Sequence, residues 1–274
     1  MKENISVLMS LYLKEKPEFV EKCFQSLLEQ TLLADEWVIV EDGPLSEKMH
    51  ILLDRYEKLY PNLIKRVVLK QNYGLGIALQ IGILACKNEI IARMDTDDIA
   101  RKDRFEKQFK EFNNDDELDI CGSYIDEFEK NQKNIVAMRK VPLIDSEIKK
   151  YQKKRDAFNH MTVMYKKSAV LKAGNYQHCP LMEDTLLWAN MLQNGAKCKN
   201  IGDSLVYVRI GDDMYKRRGG WEYFFKYKKG RKQVKKTGFI SNWDYFYTIY
   251  IQFFVALLPY KLRGWIFKQF LHKF

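Results

Sequence analysis

Asp95, Asp97 and Asp98 fall within four positions at the tip of an apolar run, in IIARMDTDDI (90–99). Acids that follow a strand could cap the next helix, which is expected to begin near Lys102. A cap needs one acid, however, and three suggest a ligand. Mg²⁺ and Mn²⁺ prefer hard oxygen donors and take one or two protein carboxylates, leaving other positions to water and substrate phosphates. Alternate acids can then divide the labour, one on a ribose and one on the metal, with Asp98 left to the helix cap.

Three other segments carry residue types with chemical potential. Gly74 and Gly76, in LKQNYGLGIALQIGI, precede a helical pattern, where backbone N–H groups can meet an anion. The loop lacks full GxGxxG or Walker spacing, and SLYLKEKPE follows the first strand where a dinucleotide fold would place its glycines. Hydride transfer and P-loop chemistry therefore lose ground. Glu183 and Asp184 occupy the first turn of the helix TLLWANMLQ, where they suit its dipole, and a carboxylate such as Asp184 could take a proton from a hydroxyl. His160 precedes a strand, as a structural residue or a pocket residue. Trp188, one helical turn from Asp184, could stack on a sugar ring or pack in the core.

The elements that must position these residues alternate. ISVLMSLY (5–12), EWVIVEDG (36–43), KRVVLK (65–70) and NEIIARMD (88–95) read as buried strands. PEFVEKCFQSLLEQ (17–30), MHILLDRYEKLY (49–60) and GIALQIGILAC (76–86) read as the helices between them. This alternation predicts an α/β, mostly parallel sheet flanked by helices, with ligands at the C-terminal strand ends. Asp42, Asp95 and Asp97 sit at such ends. Further on, LDICGSYIDEF and IGDSLVYVRI read as strands, and Asp145 could cap the helix DSEIKKYQKK.

Composition bounds the rest. The chain has 274 residues, 46% hydrophobic, enough for one large domain with an appendage. Its formal charge of +10 is concentrated at one end, since 216–236 hold ten Lys or Arg against the single acid Glu222. Such a tail fits a polyanionic surface. The five cysteines are scattered without CxxC spacing, as buried or incidental reduced thiols would be. No leader pattern opens the chain, and the apolar stretch 245–258 falls short of the ~20 residues a bilayer span needs. A cytoplasmic protein without a span is expected.

Taken in order, ISVLMSLY, EQT before EWVIVEDG, QNYGLGIALQIGI, IIARMDTDD, NHMTVMYKKSAVLKAG and MEDTLLW resemble the family-two inverting glycosyltransferases of the GT-A fold. The nearest likeness is to the capsule and exopolysaccharide, amylovoran-type branch. The resemblance spans roughly 4–220. It implies a catalytic domain at 1–215, with a nucleotide-sugar half at about 1–100 and an acceptor half at 101–215, followed by a basic amphipathic helical region at 216–274.

The resemblance also implies roles. Ser10 and Tyr12 would lie against the nucleobase, Asp42 would hydrogen-bond uracil, and Asn72 and Arg93 would stand beside the donor nucleotide. Asp95-Thr96-Asp97 would be the DXD motif, Asp95 near the ribose and Asp97 on Mn²⁺ or Mg²⁺. Asp184 matches the family's catalytic base, and one carboxylate suffices for a single inverting displacement. His160, by its place in the resembling segment, would face the acceptor or donor-sugar pocket. Glu183 and Trp188 are further candidate acceptor or diphosphate contacts, and Lys216, Arg217 or Arg218 could reach the diphosphate unless they form a solvated face. SLYLKE departs from the family's usual Pro-Thr-Tyr-Asn, and Pro44 from the Ser that often follows Asp-Gly.

The implied reaction moves one sugar from a UDP-sugar to a polyprenyl-diphosphate-linked oligosaccharide at the inner membrane face. Neither QxxRW nor membrane spans, the marks of processive synthases, occur. The basic, aromatic tail would bind an anionic membrane, or pack on the catalytic domain, or make a homo-oligomer contact. A sugar nucleotidyltransferase would need a Gly-rich basic signature after the first strand. A nucleic-acid-binding module would leave the three acids unexplained, so no nucleic-acid partner is expected.

Overall fold

The computed structural model describes residues 4–211 and 219–258. Four parallel strands form one half of the sheet in the order β3 (Ile64–Val68), β2 (Glu36–Glu41), β1 (Ile5–Leu11), β4 (Ile90–Arg93). β1, β2 and β4 read as continuous apolar runs because helices cover both faces and leave no wet side to alternate toward. The chain runs outward from β1 to β3 and returns to the other side of β1 at β4. That reversal opens a crevice between the C-terminal ends of β1 and β4.

Beyond β4 the sheet becomes mixed. β8 (Met164–Lys166) pairs antiparallel with both β4 and β6 (Leu118–Phe128). β6 runs parallel to β9 (Lys197–Arg209), and the short β5 (Ile99–Ala100) pairs with the distal part of β9. β7 (Ile135–Arg139) forms a hairpin on β6. β9 starts ahead of the expected IGDSLVYVRI, because Cys198 and Asn200 pair with the buried half of β6.

Helices α1 (Pro17–Leu28), α2 (Glu47–Leu59) and α4 (Arg104–Asn114) pack on one face around Phe24, Trp37 and Phe105. The other face carries α3 (Leu75–Ala85), α5 (Asp145–Gln152), α6 (Lys167–Lys172) and α7 (Glu183–Gln193). Asp145 does not cap α5. It is the first helical residue, and its carboxylate accepts the Cys198 N–H at 3.0 Å and pairs with Lys149 at 2.8 Å, which ties α5 to the start of β9.

Trp188 takes the core-packing alternative and not the sugar-stacking one. It is fully buried, with its ring 5.5 Å from Phe158 and 6.1 Å from Tyr165, because that side of α7 faces the sheet. Trp188→Ala should therefore cost about 3–5 kcal/mol of unfolding free energy through the cavity it leaves. Urea denaturation reads this directly, and a change below about 1 kcal/mol would place the ring outside the core.

Helices α8 (Gly220–Lys236) and α9 (Asn242–Leu257) form a hairpin packed on α7. Val234, Phe239, Ile240 and Tyr245 join the core beneath α7. Arg231, 2% exposed, donates to the Lys153 carbonyl at 2.8 Å and to the Thr248 hydroxyl at 3.1 Å. Any side chain at Gly230 would collide with Met182, since a Cβ there would lie 2.8 Å from its sulfur. Among the described residues no helix is long and apolar enough to cross a membrane. All five cysteines are buried and free.

Candidate active site

β4 delivers Arg93 and then the acidic turn to the crevice. The carboxylates of Asp95, Asp97 and Asp98 lie within 4.8 Å of one another. Burial alone would raise Asp95, but the Arg93 guanidinium and a His160 hydrogen bond outweigh it and hold that carboxyl well below its usual value. Its neighbours carry the cost. Burial, reinforced by the Asp95 charge, pushes Asp97 up to about 6, and burial with the Asp97 and Asp95 charges pushes Asp98 well above the usual range.

Asp98 is not a helix cap. It is 2% exposed, and its Oδ1 accepts the Arg209 N–H at 2.9 Å. Arg209 Nε in turn donates to the Asp97 carbonyl at 3.1 Å, with the guanidinium 3.9 Å from the centre of the Phe19 ring. The end of β9 thereby clamps the turn, while α4 begins later, at Arg104, without a side-chain cap.

An all-oxygen, mutually repelling donor set fits a hard divalent cation, whose charge would relieve the repulsion. Asp97, with Asp95 and Asp98 around it, would hold it. The pH dependence follows from the raised Asp97 value. Relative to its unfolded pKa of 3.8, the fold favours the protonated carboxyl, and that stabilisation fades as pH rises through about 6. A cation binds only the deprotonated carboxylate, in competition with the proton. Mn²⁺ should therefore raise the melting temperature clearly at about pH 7.5 and little at about pH 5. Equal shifts at both would contradict the assignment.

Arg93 links this turn to Asp184. Its side chain is 1% exposed, with Nη1 3.0 Å from Asp95 Oδ1 and Nε 3.9 Å from Asp184 Oδ1, an ion pair with each. Neither contact is a hydrogen bond, the one to Asp184 being too long, so Nε and Nη1 act as buried charge. The two carboxylates more than offset the desolvation of the guanidinium and raise its pKa. His160 spans the same pair from the open side, Nε2 3.2 Å from Asp95 Oδ2 and Nδ1 3.7 Å from Asp184 Oδ2. It stands on a short 3₁₀ turn (His160–Thr162) before β8 and is 41% exposed.

Asp184 opens α7. The buried Tyr176 hydroxyl donates to its Oδ1 at 3.2 Å, which leaves Oδ2 toward His160. Glu183 packs at the start of α3, where a Cβ on Gly76 would lie 2.7 Å from its Cγ. Burial raises the Glu183 pKa.

On the nucleotide side, Asp42 is 3% exposed and fixes the loop after β3. Its oxygens accept the N–H groups of Tyr73 at 2.7 Å and Gly74 at 3.0 Å, and Asn72 Nδ2 donates to its carbonyl at 3.2 Å. Gly43 makes that approach possible. Its φ is +89°, and a Cβ would meet the Asn72 nitrogen at 2.6 Å. What Asp42 visibly does is position this loop, with both oxygens engaged. Ser10 and Tyr12, at and just beyond the end of β1, border the same crevice end, Tyr12 exposed. Lys216, Arg217 and Arg218 lie outside the described residues.

Sequence reading missed three members. Glu15, after β1, is pushed up to about 7 by burial and then by Asp97 and Asp95, which places a fourth carboxylate beside the turn. Tyr176 and Arg209 come from a loop and a strand end without periodic signal. Only the tertiary contacts select them.

Comparison with known proteins identifies the family. Residues 6–173 match the model of Glycosyl transferase family 2. The chain is 39% identical to the amylovoran biosynthesis glycosyltransferase AmsE of Erwinia amylovora, over 96% of this chain and 98% of that protein. It is 36% identical to the Escherichia coli UDP-Gal:alpha-D-GlcNAc-diphosphoundecaprenol beta-1,3-galactosyltransferase, over 99% and 98% of the two chains. Among solved structures it superposes on S. aureus TarS 1-349 in complex with UDP-GlcNAc with TM-score 0.62, at 16% identity, covering 98% of this chain and 71% of that one. It spans 43% of a longer TarS chain. The mannosyltransferase PcManGT of Pyrobaculum calidifontis, solved with GDP-Man and Mn²⁺, gives TM-score 0.64 at 12% identity, over 90% and 68% of the chains. Those two structures share the GT-A-like fold, and the full-length sequence relatives together with the family match carry the assignment: the chain belongs to Glycosyl transferase family 2.

Proposed function

We propose that the protein transfers one sugar from a UDP-sugar to a hydroxyl of a polyprenyl-diphosphate-linked oligosaccharide, inverting the anomeric carbon, during surface polysaccharide synthesis. The observation that carries this reading is the joining of Asp184 to Asp95 through Arg93 and His160, which puts a proton acceptor and an acidic cation turn in one crevice. The Escherichia coli relative, a UDP-Gal:alpha-D-GlcNAc-diphosphoundecaprenol galactosyltransferase, supports UDP as donor nucleotide and a lipid diphosphate as acceptor anchor.

Asp184 Oδ2 takes the proton of the acceptor hydroxyl as the oxygen attacks the anomeric carbon. The new C–O bond forms on the face opposite the bond to the diphosphate, which breaks and releases UDP, so a single displacement inverts the centre. Tyr176 and Arg93 engage Oδ1 and fix the carboxylate. His160, half-exposed, holds the space between base and turn. Asp95 faces the ribose, Asn72 and the Gly74 loop hold the nucleotide end, and Ser10 and Tyr12 flank the base. A divalent cation, when bound at Asp97, supplies charge for the departing diphosphate.

The α9 helix exposes Trp243, Phe246 and Tyr250, and α8 is rich in Lys, a combination suited to an anionic membrane surface at the inner leaflet. The tail at 259–274, expected to join it, lies outside the described residues. The direct test is UDP release from a panel of UDP-sugars with a GlcNAc-diphospho-lipid acceptor, with and without Mn²⁺. Acceptor-dependent, metal-dependent UDP release is expected. Release from GDP- or dTDP-sugars alone would reject UDP as the nucleotide.

A further inference from the structure

We infer that a cavity on the α5–α9 side of the molecule binds the diphosphate of the lipid acceptor together with its first isoprene units, an inference that rests on the lipid-linked acceptor of the proposed function. The cavity measures about 1480 Å³ and lies between α5, the 140–143 segment and α9. Lys140, Lys150, Lys153, Lys154 and Arg155 line it. None of these five makes an ion pair or a side-chain hydrogen bond among the described residues. Two heads rest over aromatic faces, Lys154 5.0 Å from the Tyr247 ring centre and Arg155 5.7 Å from that of Tyr151.

Two acids share the lining, Glu147 and Asp244. Asp244 is committed to the α9 capping box, accepting the Ser241 N–H at 3.1 Å and hydroxyl at 2.7 Å. Asp244 stays ionised, since against burial its Ser241 hydrogen bonds and the Lys153 and Lys154 charges lower its pKa. Five cations therefore face two carboxylates and the lining remains positive by three charges, which suits a diphosphate. Between the cations runs an apolar wall of Val141, Leu143, Ile251 and Val255. Gln252 contributes a buried Nε2 that has no partner among the described residues, a donor in the lining. A free inorganic anion would use the cations and leave that wall wet, whereas a prenyl diphosphate uses both.

Placement agrees. Arg155 stands five residues before His160, a path of at most about 18 Å. The next residue, Asp156, accepts the Thr185 hydroxyl at 2.7 Å, beside Asp184. A diphosphate held at the cavity therefore presents its first sugars toward the base. On the other side, α9 exposes Trp243, Phe246 and Phe254, where the rest of an isoprenoid chain would enter lipid.

The probe is farnesyl diphosphate, titrated calorimetrically into the full chain, alongside UDP with Mn²⁺ as a separate titration. Lys150→Glu combined with Lys154→Glu should weaken farnesyl diphosphate binding by about tenfold or more, through two lost cations. Both positions are exposed, so melting temperature and UDP affinity should match the wild type. Equal affinity in the double variant, or complete displacement of farnesyl diphosphate by UDP, would overturn the assignment. Inorganic diphosphate binding as tightly as farnesyl diphosphate would overturn its lipid part. A wild type that binds the probe through these lysines yet releases UDP from no UDP-sugar would sink the proposed reaction and leave the cavity standing. Active transfer with lysine-independent probe binding would do the reverse.

Discussion

Asp184→Asn should lower sugar transfer by about 10²–10⁴-fold while leaving UDP affinity nearly unchanged. The amide keeps the shape of the carboxylate and its contact with the Tyr176 hydroxyl, so the start of α7 has little reason to move. What it loses is the capacity to accept a proton. It also removes one of the two negative charges paired with the buried Arg93 guanidinium, and Asp95, 3.0 Å from Nη1, retains the other. A structural role alone would appear as a drop in melting temperature or in nucleotide affinity. Loss of turnover at constant UDP affinity separates the two, and transfer at the wild-type rate would remove Asp184 as the base.

Asp97→Ala should abolish metal-dependent turnover, by roughly 10²–10³-fold or more, because charge stabilisation at the leaving diphosphate is a large part of the barrier. Its apo form should behave in the opposite sense. Asp97 is raised to about 6 by burial and by Asp95, so deleting it relieves repulsion in the turn, and the unliganded variant should melt no lower than the wild type near neutral pH. Adding Mn²⁺ should then stabilise the wild type and not the variant. A variant whose turnover keeps its full Mn²⁺ dependence would place the cation elsewhere.

The two experiments separate roles within one connected cluster. Arg93 lies between Asp95 and Asp184, and His160 bridges them from outside, so effects of paired substitutions should not add.

How much was legible depended on range. The strand-helix alternation of the first hundred residues is a local pattern of burial, and β1, α1, β2, α2, β3, α3 and β4 fall where the apolar periods place them. The acidic turn was legible for the same reason, since a buried strand followed at once by three acids is rare in one short window. The boundaries that missed were settled by partners distant in sequence. Asp145 reads as a cap until Cys198 arrives beside it, and Asp98 reads as one until Arg209 supplies the N–H. Trp188 reads as a stacking ring or a core residue until the direction of α7 places it in the core.

By itself, then, the sequence determined the α/β alternation, the site at the strand ends, the acidic turn as a cation candidate and, through ordered motifs, the family. These are properties of residue type and spacing within a window. Only the tertiary structure decided that Arg93 is buried between two carboxylates, that Tyr176 and Arg209 complete the cluster, and that five cations line one cavity beside α9. Those depend on chain segments tens of residues apart meeting through a sheet whose strand order no local pattern encodes, and charge acts through distance in space.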